Sequence, residues 1–281
     1  MKITENVVTK IAVCISGQVR FWETTYKLFE HWNKIYDNVE FVFFLSTWED
    51  TGFDFSEYKF LQDVEVLSPD VIPKHIKSQY GHSNPYYTYQ VQNVQKMRKK
   101  YEDNLGKKFD VVIQTREDMF IPRIILDEMM MWFNCGQIVS GMFFTSSGTK
   151  VVINRKVFPT AGGERSWSFT IPNDNYSFAH PDAMDEYAQM WNDCYIEKTN
   201  NETHQHFSNA QQLINKHIYN FKLGNQYHTY VIRPDELRKR KYPSEENLKN
   251  LIEKKGVEWI YSDDRPKTGS ITREIVEEWF V

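Results

Sequence analysis

A polar cluster at the end of an apolar run has the residue types needed to bind a phosphorylated ligand. The apolar residues 111–113 are followed directly by Gln114, Thr115, Arg116, Glu117 and Asp118. In open α/β sheets, ligands bind in the crevice outside the carboxyl ends of the strands. Carboxylates there can bind Mg²⁺ or Mn²⁺, which prefer oxygen ligands and usually share them with substrate phosphates. A strand that ends in a solvated turn with an arginine–carboxylate pair would show the same pattern.

A second polar cluster follows the first predicted strand, residues 10–16. Ser16, Gly17 and Gln18 form a tight turn, and Arg20 lies where the next helix begins. A glycine lets the backbone approach a ligand closely, N–H groups at a helix start favour phosphate, and an arginine can clamp a diphosphate. The alternative is a tight turn beside a solvated arginine, and these residues taken alone favour that simpler interpretation.

One loop carboxylate, Asp174, is a candidate for acid–base chemistry. It lies in a polar and aromatic loop predicted over residues 173–180, ahead of a predicted helix. A carboxylate within reach of a hydroxyl group can act as a general base or bind an acceptor. Loop carboxylates also commonly cap helices or form turns. The sequence leaves both roles open.

The elements that must position these residues follow the order β–α–β–β–α–β. We predict strands at 10–16, 39–45, 64–67 and 109–114, and helices at 22–36 and 86–101. Continuous apolar strands are typical of parallel sheets that helices cover on both faces. We therefore predict an α/β protein with a mostly parallel central sheet. Three of its four strands end in polar residues that can face a ligand.

The pattern is less regular after Pro122. We predict helices at 124–133, 183–195 and 207–219, and strands at 137–144, 150–153 and 227–233. Asp182, which follows Pro181, is the predicted cap of the second of these helices.

Residues 234–281 differ in character from the rest of the chain. They contain a basic run at 238–241, an acidic–basic helix predicted at 244–255 and a docking helix predicted at 271–281. We therefore divide the chain into a main domain, residues 1–233, and a C-terminal helical extension, residues 234–281, packed on it.

Composition and motifs exclude several classes of protein. The net charge of −4 over 281 residues gives no indication of nucleic-acid binding. The chain has no Walker-type phosphate loop, no dinucleotide-binding glycine motif and no serine-nucleophile elbow. Its 3 widely spaced cysteines argue against a disulfide framework and a structural zinc site. Because no apolar stretch is long enough for a membrane-spanning helix, we predict a cytoplasmic protein.

Four short motifs, in order along residues 10–233, carry a resemblance to a known family. They are Ser16-Gly17-Gln18-Val19-Arg20, Thr47-Trp48, Gln114-Thr115-Arg116-Glu117-Asp118-Met119, and Asp174-Asn175-Tyr176-Ser177-Phe178 followed by Met184 and Tyr187. Together they resemble the nucleotide-sugar glycosyltransferases of the GT-A type. The likeness is greatest to capsule and lipopolysaccharide enzymes and to their relatives in large viruses and phages.

The resemblance implies a GT-A-like, Rossmann-like fold and transfer of a sugar from a nucleotide-diphosphate donor. The donor-binding residues that it implies are Ser16, Gly17, Gln18, Arg20, Trp48, Gln90, Asn93, Arg116 and Asp118. In GT-A enzymes an Asp-x-Asp motif binds a divalent metal and the diphosphate, and here Asp118 corresponds to the second aspartate, so we expect it to bind Mn²⁺ or Mg²⁺. Arg116 replaces the first aspartate and can itself neutralise phosphate.

The same resemblance implies an acceptor that is a glycan or a lipid-linked glycan. An inverting enzyme needs a base near the acceptor hydroxyl, and Asp174 is the candidate. Gln90 and Asn93 can face the nucleotide, or they can lie on a solvated helix face. The basic run at 238–241 can contact an anionic membrane surface peripherally, although a solvated helix start explains it too.

Two other functions stay open. A metal-dependent nucleotidyl- or phosphotransferase would also use Asp118, but it usually needs more clustered carboxylates or a phosphate loop. A catalytically inactive nucleotide- or carbohydrate-binding protein would be compatible with Arg116 in place of the first aspartate.

Overall fold

The computed structural model describes residues 8–80, 84–121, 123–134, 136, 138, 142–145, 149–153, 176–189, 191–196, 218–222, 230–231 and 245–261. Within them the chain has the predicted α/β class. The strands are β1 Thr9–Ser16, β2 Val39–Trp48, β3 Leu61–Leu67, β4 Val111–Thr115, β5 Met119–Phe120, β6 Met142–Thr145, β7 Thr149–Ile153, β8 Tyr176–Ala179, β9 Ile218–Lys222 and β10 Tyr230–Val231. The helices are α1 Trp22–Trp32, α2 Lys74–Tyr80, α3 Asn84–Leu105, α4 Arg123–Asn134, α5 Pro181–Ala188, α6 Glu245–Lys255 and α7 Val257–Ile260. Short 3₁₀ turns lie at Glu49–Thr51, Phe55–Glu57 and Pro69–Val71, and a π turn at Asn192–Ile196.

Eight of the described strands form one mixed sheet in the order β3-β2-β1-β4-β8-β6-β7-β9. The four strands predicted within residues 10–114 pair in parallel and confirm the parallel part of the sheet. From β4 onward every described pairing is antiparallel. The chain adds β2 and β3 on one side of β1 and then crosses to add β4 on the other side. The order of the strands therefore reverses between β1 and β4.

Alternate residues of β1 enter two separate cores, which explains why the strand is apolar throughout. Ile11, Val13 and Ile15 pack toward α1, α4 and the C-terminal helices, whereas Ala12 and Cys14 pack toward α3 and α5. A parallel strand that helices cover on both faces needs apolar side chains at every position. The prediction of helices on both faces is therefore confirmed in the described residues.

The strand register brings three carboxyl ends to one edge of the sheet. Ser16 is the partner of Ser46 in β2, and Ile15 is the partner of Thr115 in β4. Polar residues that follow β1 and β4 therefore meet beside the end of β2. The predicted end of β2 at residue 45 was wrong, since the strand continues through the buried Ser46, Thr47 and Trp48.

The polar and aromatic loop predicted at 173–180 was wrong for residues 176–179. These residues form β8, which lies between β4 and β6 and is buried along its whole length. The polar sequence concealed the strand because Ser177 is buried opposite Gln114 of β4. Residues 173–175 lie outside the described part of the chain.

The cap predicted for the following helix was also wrong. Pro181 occupies the first turn, so His180 is the N-cap residue, and its Nδ1 accepts a hydrogen bond from the backbone N–H of Asp182 (3.3 Å). Asp182 instead lies in the first turn and pairs with Lys108. The α-helix ends at Ala188, not at residue 195, and a π turn follows over Asn192–Ile196.

Two predictions for residues 200–233 fall mostly outside the described chain. The helix predicted at 207–219 was wrong for Ile218 and Tyr219, which belong to β9 and pair with β7. A pairing between distant strands has overridden the local helical pattern there. The strand predicted at 227–233 is confirmed at Tyr230–Val231, which pairs with β5 in a separate two-stranded sheet.

The C-terminal helices α6 and α7 pack against α1. Leu248 and Ile260 are buried in the same core as α1, and Trp32 Nε1 donates a hydrogen bond to Tyr261 Oη (3.0 Å). Arg123 Nη1 donates to the Tyr261 carbonyl (3.0 Å). The helix predicted at 271–281 lies outside the described residues. None of the described helices has the length and apolar character needed to cross a membrane.

Candidate functional site

Glu117 joins the two polar clusters that the sequence identified. Its Oε1 accepts hydrogen bonds from the backbone N–H groups of Arg20 (2.6 Å) and Phe21 (3.1 Å), and its Oε2 accepts one from Thr25 Oγ1 (3.2 Å). The N–H groups at the start of a helix have no partner within the helix. Glu117, delivered from the end of β4, supplies an acceptor for the N–H groups of the two residues that precede α1. These two N–H groups near the helix start, where we expected phosphate to be favoured, are therefore occupied by a carboxylate.

The environment of Glu117 raises its pKa. Burial raises the pKa of this carboxyl from an ordinary 4.5 to about 7, and the neighbouring Asp118 carboxylate adds to the shift. The hydrogen bonds from Arg20, Phe21 and Thr25 act in the opposite direction.

We expect this shift to make folding stability depend on pH. A carboxyl whose pKa is raised on folding contributes stability that is fully present below about pH 4.5 and is lost as the pH rises through about 7. The slope in this window is about 1.4 kcal/mol per pH unit for one group. Denaturant unfolding at about pH 5 and about pH 8, for the wild type and Glu117→Gln, measures it.

The glutamine variant is the control because other groups titrate in the same window. Burial lowers the pKa of His31, which gives a slope of the opposite sign. The contribution of Glu117 is therefore the difference between the wild type and Glu117→Gln in how the free energy of unfolding changes with pH. Equal pH dependence in the two proteins would contradict the prediction.

Arg116 and Asp118 form a bidentate ion pair. Arg116 Nε donates to Asp118 Oδ1 (2.8 Å), and Nη2 donates to Oδ2. The Asp118 side chain is 9% exposed and that of Arg116 is 27% exposed. Both carboxylate oxygens of the predicted metal ligand are thus bonded to a guanidinium. Among the described residues, no group of three or more His, Cys, Asp or Glu side chains could hold a metal ion.

A buried network of hydrogen bonds holds the Ser16 hydroxyl group in place. Gln114 Nε2 donates to Ser16 Oγ (2.8 Å), and Gln95 Nε2 donates to Gln114 Oε1 (2.8 Å). Arg98 Nε donates to Gln95 Oε1 (2.8 Å), and the same guanidinium pairs with Glu102 and Asp185. Buried polar groups need such partners, since an unsatisfied one costs about 1–3 kcal/mol. This network of hydrogen bonds connects the end of β1 to helices α3 and α5.

The turn after β1 is held against the end of β2. The backbone N–H of Gly17 donates to the Ser46 carbonyl (3.3 Å), and that of Val19 donates to Thr47 Oγ1 (3.3 Å). Gly17 has φ +126°, a conformation that favours glycine. Arg20 is exposed, and its Nη2 donates to Gln18 Oε1 (3.0 Å).

Helix α3 places the predicted Asn93 beside the same strand ends and carries the predicted Gln90 one turn earlier. Asn93 Nδ2 lies within hydrogen-bond distance of Ser46 Oγ (3.2 Å) and of Glu65 Oε2 (2.9 Å). Gln90 is fully buried, and neither its Oε1 nor its Nε2 has a hydrogen-bond partner within the described part of the chain. Neither residue lies on a solvated helix face, since Asn93 is itself partly buried.

Trp48 lies at the end of β2 in a buried aromatic cluster. Its ring meets that of Tyr86 edge to face, with centroids 5.1 Å apart, and Ile72 and Trp191 belong to the same cluster. Asp174 and the basic run at 238–241 lie outside the described residues.

Of the ten predicted site residues, the structure places eight at or beside the carboxyl ends of β1, β2 and β4: Ser16, Gly17, Gln18, Arg20, Trp48, Asn93, Arg116 and Asp118. Sequence reasoning treated Glu117 only as part of an acidic pair that could bind a metal, and it did not predict that Glu117, Gln114 and Ser46 hold these elements together. Gln114 and Ser46 stand where apolar strands turn polar, and that position was the only indication available. Nothing in the sequence pairs Glu117 with a helix start 96 residues earlier.

Comparison with known proteins assigns no family to this chain. No protein-family model matches it, and no curated protein matches it. The function is therefore argued from the site itself.

Proposed function

We propose that this protein is a glycosyltransferase that moves a sugar from a nucleotide-diphosphate donor to a glycan or lipid-linked acceptor. The observation that carries the proposal is the meeting of Ser16–Arg20 with Arg116–Asp118, where the strand order reverses between β1 and β4. Ligands of open α/β sheets bind in the crevice at such a switch point. Within the α/β class, we propose a GT-A-like fold on the resemblance of the four motifs, the first three of which lie at this edge.

The charges at this edge suit a diphosphate leaving group. Negative charge builds up on the diphosphate as its bond to the sugar breaks, and preorganised positive groups stabilise that charge. Arg20 is exposed beside the turn after β1, and Arg116 is partly exposed at the end of β4. The Glu117 hydrogen bonds join the turn that carries Arg20 to the turn that carries Arg116, so the two guanidinium groups extend from connected segments of backbone.

The described residues do not fit a resident metal ion. Asp118 is bonded through both oxygens to Arg116, and Glu117 is bonded to the start of α1. We therefore assign the stabilisation of the diphosphate to the arginines. The same geometry argues against a nucleotidyl- or phosphotransferase that would need clustered carboxylates here. Asp174 is proposed as the base for the acceptor hydroxyl.

Gln90 is proposed to bind the nucleoside of the donor. A fully buried carboxamide without partners is destabilising, and a ligand edge that offers one donor and one acceptor would satisfy it. We expect Gln90→Leu to leave the melting temperature unchanged or higher, because the unsatisfied amide is removed. Donor affinity should fall about tenfold. Differential scanning calorimetry and titration calorimetry measure the two effects, and a large loss of stability without a loss of affinity would contradict this role.

A thermal-shift screen tests the proposed function. The probes are UDP, GDP, CDP and their common sugar conjugates, each with and without Mn²⁺. A ligand at about 100 times its dissociation constant should stabilise the protein by about 2.7 kcal/mol. Release of nucleoside diphosphate from the stabilising conjugate, in the presence of glycan acceptors, then separates an enzyme from an inactive binding protein. No shift with any nucleotide would contradict the donor site.

A further inference from the structure

We infer that Arg116 takes the place of the divalent cation, so that the donor diphosphate is bound and released without a metal. This inference rests on the proposed function and concerns the chemistry of the same site. The resemblance stated for the sequence predicts a metal at Asp118. The contacts of Asp118 point instead to a guanidinium.

The first step of the argument is the geometry of the pair. Arg116 Nε and Nη2 meet the two oxygens of Asp118 side by side, which is the fork arrangement that orients a guanidinium plane. The guanidinium already balances the charge of the Asp118 carboxylate, so that carboxylate offers a cation little net attraction while the pair is intact. A guanidinium presents its N–H donors in a planar fork, and Arg116 meets Asp118 through Nε and Nη2 while its side chain stays 27% exposed.

The second step is the orientation of Glu117. This carboxylate, between the two residues of the pair, points to the N-terminus of α1 and accepts three hydrogen bonds there. It is 2% exposed. A second metal-ligating carboxylate is therefore missing among the described residues of this turn, and the aspartate that would begin an Asp-x-Asp motif is Arg116 itself.

The third step is the charge that the reaction needs. The acceptor oxygen forms a bond to the anomeric carbon, and the bond from that carbon to the diphosphate oxygen breaks. The electron pair stays on the diphosphate, and the hydroxyl proton passes to a base or to the departing diphosphate. Arg116 and Arg20 offer permanent positive charge beside that leaving group, since an arginine is not deprotonated in proteins.

The test measures binding of UDP and GDP by titration calorimetry in excess EDTA and in excess Mn²⁺. Four variants are compared with the wild type: Arg116→Ala, Arg116→Lys, Asp118→Asn and, as a control, Lys99→Ala. Lys99 lies in the C-terminal half of α3, where it pairs with Asp185, so its removal changes the net charge without touching the site. Circular dichroism checks that each variant is folded.

We expect wild-type affinity to agree within about twofold in the two buffers. Arg116→Ala should weaken binding by about 10–100-fold, the usual cost of removing a charged hydrogen-bonding partner. Arg116→Lys should recover only part of this loss because lysine lacks the fork. Asp118→Asn should weaken binding less than Arg116→Ala and equally in the two buffers, because asparagine keeps one of the two acceptor oxygens for the guanidinium and no metal is involved.

The metal-dependent alternative predicts the opposite pattern. Binding that needs Mn²⁺, is lost in Asp118→Asn and survives in Arg116→Ala would overturn the inference and leave the proposed function intact. If Arg116→Ala does not fold, the affinities of the wild type and of Asp118→Asn in EDTA and in Mn²⁺ still distinguish the two alternatives. An absence of binding by every nucleoside diphosphate in both buffers would overturn the proposed function together with the inference.

Discussion

Glu117→Ala is expected to lower the free energy of unfolding by about 2–3 kcal/mol. The substitution leaves the N–H groups of Arg20 and Phe21, at the start of α1, without their acceptor. It removes one of two acceptors of the Thr25 hydroxyl group, which bonds to the Phe21 carbonyl as well. It also opens a space in a buried region, since Glu117 is almost fully enclosed. Urea unfolding at neutral pH measures the loss.

The matched control is Glu117→Gln, which keeps an acceptor oxygen and nearly the same volume. We expect it to lose less than about 1 kcal/mol, because the helix start remains capped. If the alanine and glutamine variants were equally stable, the hydrogen bonds would not be the cause of the stabilisation.

The alanine variant should also weaken donor binding. Glu117 is the link between the turn that carries Arg20 and the turn that carries Arg116, so its loss frees the two guanidinium groups to move independently. Calorimetry with the nucleoside diphosphate that binds the wild type provides the measurement, at a temperature where the variant is folded. An unchanged affinity would show that the two loops hold their positions without this link.

Arg98→Met is expected to have a larger effect on stability, about 3–5 kcal/mol. Arg98 is fully buried on α3 and bonds to Gln95, Glu102 and Asp185. Its removal leaves Glu102, which is also buried, as an uncompensated carboxylate. Breaking a buried pair on one side costs far more than the pair contributes in the intact protein. Urea unfolding of the purified variant tests the figure.

The control for Arg98→Met adds Glu102→Gln to it. The glutamine keeps an acceptor for the backbone N–H of Phe109, which donates to Glu102 (2.9 Å), and removes the stranded charge. Asp185 is 24% exposed and can be hydrated. We therefore expect the double variant to recover most of the lost stability, and a double variant as unstable as the single one would contradict an electrostatic origin.

The local sequence pattern was sufficient to predict the strands and helices that bury apolar side chains on regular faces. The continuous apolar runs in β1, β2 and β4 needed no information about distant residues, because a strand covered on both faces must be apolar at every position. The ends of β1 and β4 were visible as an abrupt change to polar residues, whereas β2 continues through Trp48, three residues past its apolar run. That change is why Ser16, Arg20, Arg116 and Asp118 were identified together.

Local pattern failed where a distant strand or helix decides the conformation. β8 contains Ser177 and looks like a loop, yet it is buried because β4 and β6 pair with it on either side. Ile218 and Tyr219 carry a helical pattern but pair with β7. In both cases the hydrogen bonds between strands are made with residues far away in the chain, and no short window of sequence contains them.

The sequence by itself determined the α/β class, the parallel order of the first four strands and the edge of the sheet at which polar residues collect. Only the tertiary structure decided how those residues are used. It turns Glu117 toward the start of α1, pairs Asp118 with Arg116 and buries Gln90 with no hydrogen-bond partner among the residues it describes. The physical reason is that a carboxylate or an amide binds whichever donor or acceptor the packed elements bring within about 3 Å. That neighbour is set by the packing of whole helices and strands and not by spacing along the chain.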